Sequence, residues 1–220
     1  MIPEDLAREM TEHEFICGSD EVGFGSWAGP LVVCAAVVPS TWSAPGVTDS
    51  KKLTPAARDR AYEMLVATVT YGIVEIPSSE IDKNGVSAAW EFGHSRAIQI
   101  ALDQHKAKGH PDLPMVIIDG SRGVLGARTL PKADLLVPAV SAASIIAKVH
   151  RDRLMQALDK LHPGYGWDSN SGYGTPQHQE GLRRHGVTEH HRRSYAPIAD
   201  LVRPQEKPQD LFALIDSIES

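Results

Sequence analysis

Eight consecutive apolar residues, Leu31 to Val38, stand between Pro30 and Pro39, and this run constrains the fold more than any other stretch of the chain. It is rich in valine and shows no apolar–polar alternation, so both of its faces must be buried, as in a central strand. It is far too short to cross a bilayer. Residues 15–19 read as a second strand. A glycine-containing turn region joins the two, which makes them antiparallel neighbours.

The remaining elements follow from caps and periodicity. Thr54-Pro55 opens a helix, with threonine as N-cap and proline in the first turn, and the helix continues over 56–67. Residues 68–76 form a strand ended by Pro77, and 87–108 a helix ended at Gly109. Residues 115–118 are a short strand that runs into Asp119-Gly120, followed by a glycine- and arginine-rich loop or ribbon over 121–131. The clearest helix is 140–161, where Ala142, Ile145, Ile146, Val149, Met155 and Leu158 recur at helical spacing until Pro163-Gly164. From there to about residue 194 the chain is rich in Gly, His and Arg with little periodicity. A short amphipathic helix over 210–218 forms an appendage. An early hairpin followed by helix–strand alternation predicts one α/β domain with a mixed sheet.

A chain of 220 residues can bury one sizeable core. Its formal net charge of −6 gives no global positive field, which counts only mildly against a polyanionic partner. A metal site with a local basic face can replace net charge. Cys17 and Cys34 both sit in strand-like runs and are expected to be buried, reduced thiols of a cytoplasmic protein. No signal peptide is expected from the first residues.

The candidate chemistry begins at Gly18-Ser-Asp20-Glu21-Val-Gly23-Phe24-Gly25. Adjacent carboxylates where a strand meets glycine suit hard divalent cations, and glycines leave backbone amides open to a ligand. The same motif also reads as an ordinary exposed turn. Asp119 has the same context, a strand end before glycine, and two such carboxylates converge if their strands are neighbours. Asp134 reads either as a cap ahead of the following helix or as a further ligand. Asp152, between Arg151 and Arg153, reads as part of an ion-paired helix face. Lys51 and Lys52 precede a helix N-terminus and read as a solvated pair or a phosphate site.

Tyr173, between two glycines, is expected to be exposed and able to stack or to donate to a hydroxyl. The stretch from Arg183 to Arg193 is the densest basic segment and a candidate backbone-binding strip. Its histidines invite a zinc reading, but their spacing fits no closed zinc pattern and no cysteine is near. Neither a nucleophile elbow nor a phosphate-cradling Lys-Ser/Thr loop is present. Carboxylate-bound metal acting on a phosphodiester is the enzymatic reading that remains.

Taken in order, these residues resemble the type 2 ribonucleases H, specifically bacterial ribonuclease HII. The matching motifs are Gly18-Ser-Asp20-Glu21-Val-Gly23-x-Gly25, Ala28-Gly29-Pro30, Asp49-Ser-Lys-Lys-Leu53, Ile118-Asp119-Gly120 and Lys132-Ala-Asp134. They continue with Ser141-Ala-Ala-Ser144-Ile-Ile-Ala-Lys148, Arg151-Asp152-Arg153, Gly172-Tyr-Gly-Thr175 and His191-Arg-Arg-Ser194. The resemblance covers about residues 15–198. It implies an N-terminal extension over 1–14, an RNase H-like catalytic domain over 15–198 with helices flanking the mixed sheet, and a tail with a small helix over 199–220.

The resemblance also implies hydrolysis of the RNA strand of RNA–DNA hybrids and incision 5′ to ribonucleotides embedded in duplex DNA, leaving 5′-phosphate and 3′-hydroxyl ends. Asp20, Glu21, Asp119 and Asp134 then hold two Mn²⁺ or Mg²⁺ ions. Gly23, Phe24, Gly25 and Tyr173 read the 2′-hydroxyl, and Lys51, Lys52, Ser144 and Lys148 stand where phosphate contacts are expected. The protein is expected to act as a monomer. Phe24 replaces the arginine usual in the family, which keeps a backbone amide but removes a guanidinium, and Ser26-Trp27 gives the turn a bulkier wall. Two alternatives stay open: a DNA nuclease on the same fold, and a hybrid-binding protein weakened in catalysis.

Overall fold

The computed structural model describes residues 1–43, 53–124 and 126–203. A helix α1 (Glu4–Thr11) precedes strand β1 (Phe15–Val22) and strand β2 (Leu31–Pro39). Then come α2 (Pro55–Thr68), β3 (Thr70–Ile76), α3 (Ser78–Asn84), α4 (Val86–Ala107), β4 (Met115–Asp119) and β5 (Arg128–Leu130). A short 3₁₀ turn (Ala133–Leu135) leads into the long helix α5 (Pro138–Leu161), and the chain continues with α6 (Trp167–Asn170), α7 (Pro176–His185) and α8 (Ala196–Val202).

The five strands form one sheet in the order β3-β2-β1-β4-β5. β1 pairs antiparallel with β2 and parallel with β4, so the expected hairpin and mixed sheet are both present. Every residue of the Leu31–Val38 run is buried. Strand alternation divides β2 between two cores. Val32, Cys34, Ala36 and Val38 face the side that α5 covers, whereas Leu31, Val33, Ala35 and Val37 face the side that α4 covers. Cys34 and Cys17 therefore lie on opposite faces of the sheet, both as free buried thiols.

α5 lies unusually close to β1. A Cβ on Gly18 would fall 2.2 Å from Val140 N and 2.7 Å from Ala139 O, so only glycine admits the start of this helix against the strand. The predicted N-cap of α2 is also found, with Thr54 Oγ1 accepting from Ala57 N at 3.3 Å.

Other boundaries differ from the sequence reading. β1 does not stop at residue 19 but runs to Val22, because Asp20 and Glu21 keep their pairing with Cys34 and Val33. α1, α3, α7 and α8 were not signalled by periodicity. α1 is short; its Leu6 is buried in the core on the α5 side of the sheet, and Arg128 pairs with its Asp5 and Glu9. α7 and α8 enclose a small third core of Ala28, Met155, Tyr165, Trp167, Leu182 and Ile198. Lys51, Lys52 and the helix expected over 210–218 lie outside the described residues. Among the described residues no helix is long and apolar enough to cross a membrane.

Candidate active site

The last ladder pair between the parallel strands β1 and β4 joins Ser19 to Ile118. One residue further, each strand carries an aspartate, Asp20 and Asp119, so the sheet itself sets the two carboxylates side by side. The neighbouring 3₁₀ turn supplies Asp134, which is buried. Asp119 Oδ1 accepts from the amides of Ala133 at 2.6 Å and Asp134 at 3.4 Å, which ties that turn to the end of β4.

Electrostatics confirm that the acids share one region. Burial, and after it the charge of Glu21, pushes the Asp20 carboxyl up to about 7; Asp119 adds to the rise, and a hydrogen bond from Ser144 opposes it. Asp119 is raised by burial first and then by Asp134, with Glu21 contributing less. Oxygen donors held together against their mutual repulsion suit a hard divalent cation.

Adjacent residues of β1 face opposite sides of the sheet, so Asp20 and Glu21 meet different partners. Asp20 points to the α5 side and accepts from Ser144. Glu21 points to the α4 side, where Oε2 lies 3.1 Å from His94 Nε2. His94 is fully buried, and its Nδ1 lies 2.8 Å from Ser19 Oγ. A carboxylate only accepts, so Nε2–H donates to Glu21, while the Ser19 hydroxyl donates to Cys34 O at 3.0 Å. Sequence reasoning missed His94 because it sits mid-helix with no motif around it. The one available signal was a polar residue on the apolar face of α4.

The glycine turn after β1 is held from below by two buried arginines. Arg151 donates from Nε to Pro30 O (2.8 Å), from Nη1 to Ser171 O (2.8 Å) and from Nη2 to Ala28 O (3.2 Å). Arg192 donates to Gly29 O from Nε (3.1 Å) and Nη2 (3.0 Å), and from Nη1 to Phe24 O (2.8 Å). Gly23 has φ +91° and a Cβ there would meet Arg151 Nε at 2.2 Å, whereas nothing crowds Gly25. Among the described residues, the amides of Phe24 and Gly25 donate to no protein group.

One sequence expectation is corrected here and another is met. Arg192 and His191 are buried inside the molecule rather than displayed on a backbone-binding strip, and the exposed Arg183 and Arg184 both pair with Glu180. The ion-paired helix face expected at Asp152 is present. Successive helical residues diverge by about 100°, so Arg151 turns inward and Arg153 sits over the Tyr62 ring and pairs with Glu63, while Asp152 takes Lys148 Nζ at 2.7 Å. Ser144, Lys148 and Asp152 thus form one row along α5.

Tyr173 is half-exposed, as expected, and its loop is packed tightly from behind. Gly172 O accepts from the amides of Trp27 (2.8 Å) and Ala28 (3.2 Å), which joins this loop to the glycine turn. His178 Nδ1 lies 3.0 Å from Tyr173 O and therefore carries the proton, leaving Nε2 to accept from Trp167 Nε1 and His191 Nε2, each at 3.1 Å. His191 Nδ1 in turn accepts from Thr188 N at 3.0 Å. Both rings are neutral in this arrangement. A shallow cleft beside the acids is lined by Glu21, Phe24, Trp90, Asp119 and Arg122, with the Arg122 guanidinium 4.8 Å above the Trp90 ring.

Comparison with known proteins gives a consistent result. The family model described as Ribonuclease HII matches residues 17–198. Ribonuclease HII of Ralstonia nicotianae is 42% identical over 187 residues, covering 83% of this chain and 77% of that protein. The Sphingopyxis alaskensis ribonuclease HII is 43% identical over 189 residues, covering 84% and 91%. Among solved structures, Bst-RNase HIII in complex with Mn²⁺ superposes with a TM-score of 0.69 at 25% identity, covering 91% of this chain and 73% of that one. The RNase HII of Archaeoglobus fulgidus, solved in complex with PCNA, gives 0.65 at 23% identity, covering 90% and 100%.

Proposed function

The chain belongs to the ribonuclease HII family and is a ribonuclease H, and on that premise we propose that it cleaves the RNA strand of RNA–DNA hybrids and incises 5′ to ribonucleotides embedded in duplex DNA. The observation that carries this reading is the grouping of Asp20, Glu21, Asp119 and Asp134 beside a glycine turn whose Phe24 and Gly25 amides donate to no group among the described residues. The donor set is all oxygen, which fits Mg²⁺ or Mn²⁺ rather than a softer ion.

Asp20 and Asp119 would hold divalent ions from the strand ends, with Glu21 and Asp134 completing the set. Bound there, such ions would supply Lewis-acid activation of a water and charge stabilisation at the leaving 3′-oxygen, giving 5′-phosphate and 3′-hydroxyl ends. The protein's own part is orientation. Ser144 fixes Asp20, His94 fixes Glu21, and the Ala133 and Asp134 amides fix Asp119. The amides of Phe24 and Gly25 face the 2′-hydroxyl of the ribonucleotide, and Tyr173 closes on it from the adjoining loop. Phe24 offers no guanidinium of its own. Arg122, in the same cleft, places a cation within reach of a phosphate there. Lys148, on the row that begins at Ser144, offers a second.

The test is a cleavage assay with Mn²⁺ or Mg²⁺ on three duplexes: a long hybrid, DNA with one ribonucleotide, and all-DNA. The first two should be cut and the third left intact, and Asp20→Asn should bind the hybrid yet lose nearly all cleavage. Failure of the pure folded protein to cut a hybrid with either ion would overturn the reading, and equal cutting of all-DNA would replace it with a DNA nuclease.

A further inference from the structure

His162, at the C-terminal cap of α5, and Glu189-His190, in the turn after α7, come together in a group that includes none of the active-site carboxylates. One ligand atom from each of the three lies within 4.8 Å of the others, closer than any three of the active-site acids approach one another. His162 Nε2 is 3.8 Å and His190 Nε2 is 3.7 Å from the same oxygen, Glu189 Oε1. These separations exceed a hydrogen bond. They lie close to the edge of a tetrahedron around an ion bound at 2.0–2.2 Å, which is about 3.3–3.6 Å. Among the described residues neither imidazole makes a hydrogen bond, although most of the other histidine rings in this part of the chain do. The His162 ring packs tilted against Trp167, and the His190 ring meets it edge to face.

We propose that His162, Glu189 and His190 form a second metal site, selective for a borderline transition ion of the Zn²⁺ class. Two imidazoles and one carboxylate suit Zn²⁺, whereas Mg²⁺ and Mn²⁺ favour the all-oxygen set at the active site. Three protein ligands leave at least one position for water. The sequence conceals the site because α6 and α7 intervene between His162 and the other two ligands, so no zinc spacing is visible.

The turn that would be clasped is not peripheral. His190 O accepts from Gly29 N at 2.9 Å and from Ser78 Oγ at 2.6 Å, and Arg192, two residues on, carries Phe24 O and Gly29 O. An ion joining the end of α5 to this turn therefore fixes the support of the glycine turn. The site's role is structural, and it does not depend on the reaction proposed above.

The test uses tag-free full-length protein carrying Asp20→Asn and Asp119→Asn, so that the active-site acids contribute little to metal binding. After chelator treatment it is titrated with Zn²⁺ by calorimetry and with Co²⁺ by visible absorption. One equivalent of Zn²⁺ should bind and raise Tm, and Co²⁺ should develop the ligand-field bands of a low-coordinate nitrogen–oxygen site. Adding His162→Gln, Glu189→Gln or His190→Gln should each abolish the bands and the rise in Tm. All three are exposed or half-exposed side chains, and glutamine retains their bulk. Absence of one-equivalent binding, or binding that survives both His162→Gln and His190→Gln, would overturn the proposal. No arm of the experiment reads nuclease activity, so its failure is separate from failure of the functional reading.

Discussion

Asp20 and Glu21 are neighbours in sequence whose carboxylates take different partners. The pleat sends one carboxylate to Ser144 on α5 and the other to His94 on α4, so each side of the sheet steadies one ligand. A buried imidazole that donates to a ligating carboxylate fixes its rotamer, and loss of such a partner costs about 10–100-fold in metal affinity or activity. His94→Leu should therefore lower cleavage within that range and raise the Mn²⁺ concentration needed for half-maximal rate. His94→Gln, which keeps a donor, should recover part of the loss. An unchanged Mn²⁺ dependence in His94→Leu would show that His94 only fills space.

At the scale of elements, the site depends on how closely α5 lies against β1. Gly18 has the Ala139 and Val140 backbone where a side chain would be, and backbone cannot rotate away as a flexible side chain can. Overpacking of this kind costs about 1–3 kcal/mol, and Gly18→Ala should fall at the upper end, read as a lower denaturant midpoint. It should also lower activity by shifting Ser144 away from Asp20. An unfolding free energy within about 0.5 kcal/mol of the parent, an ordinary surface-substitution effect, would mean the helix can retreat at little cost. The two loops of the site are joined differently, through carbonyls gathered by Arg151 and Arg192. Burial is the main cause that lowers both guanidinium pKa values, to about 10 for Arg151, which remains charged at neutral pH.

For the molecule as a whole, the buried His178–His191 pair makes stability depend on pH. Burial, and after it the neighbouring His178, lowers His191 to about 3, from an ordinary value of 6.5; His190 and His162 add to the effect. Burial also lowers His178. Between these values the unfolded chain binds the proton and the folded chain does not, so the contribution is complete above about pH 6.5 and is lost as pH falls towards 3. Tm in the presence of chelator should therefore drop on acidification from about pH 7 to 4.5, and His191→Gln should make that drop smaller. An identical drop in the variant would place the acid sensitivity elsewhere.

The amino-acid sequence by itself determined the buried centre of the sheet, the antiparallel hairpin, the caps of α2 and the long α5. All of these rest on local periodicity or on residues whose backbone preferences act over a few positions. Its ordered motifs also singled out Asp20, Glu21, Asp119 and Tyr173, because polar residues beside glycines leave a local mark, whereas Asp134 was singled out only through the family resemblance. Only the tertiary structure decided that Asp20 and Asp119 stand abreast, which follows from the parallel pairing of β1 with β4 across most of the domain. It alone showed that His94 holds Glu21, that Arg151 and Arg192 are internal clamps rather than surface charge, and that His162 meets Glu189 and His190. The physical reason is common to these cases: a side chain's partner is set by packing between segments distant in sequence, and spacing along the chain carries no record of it.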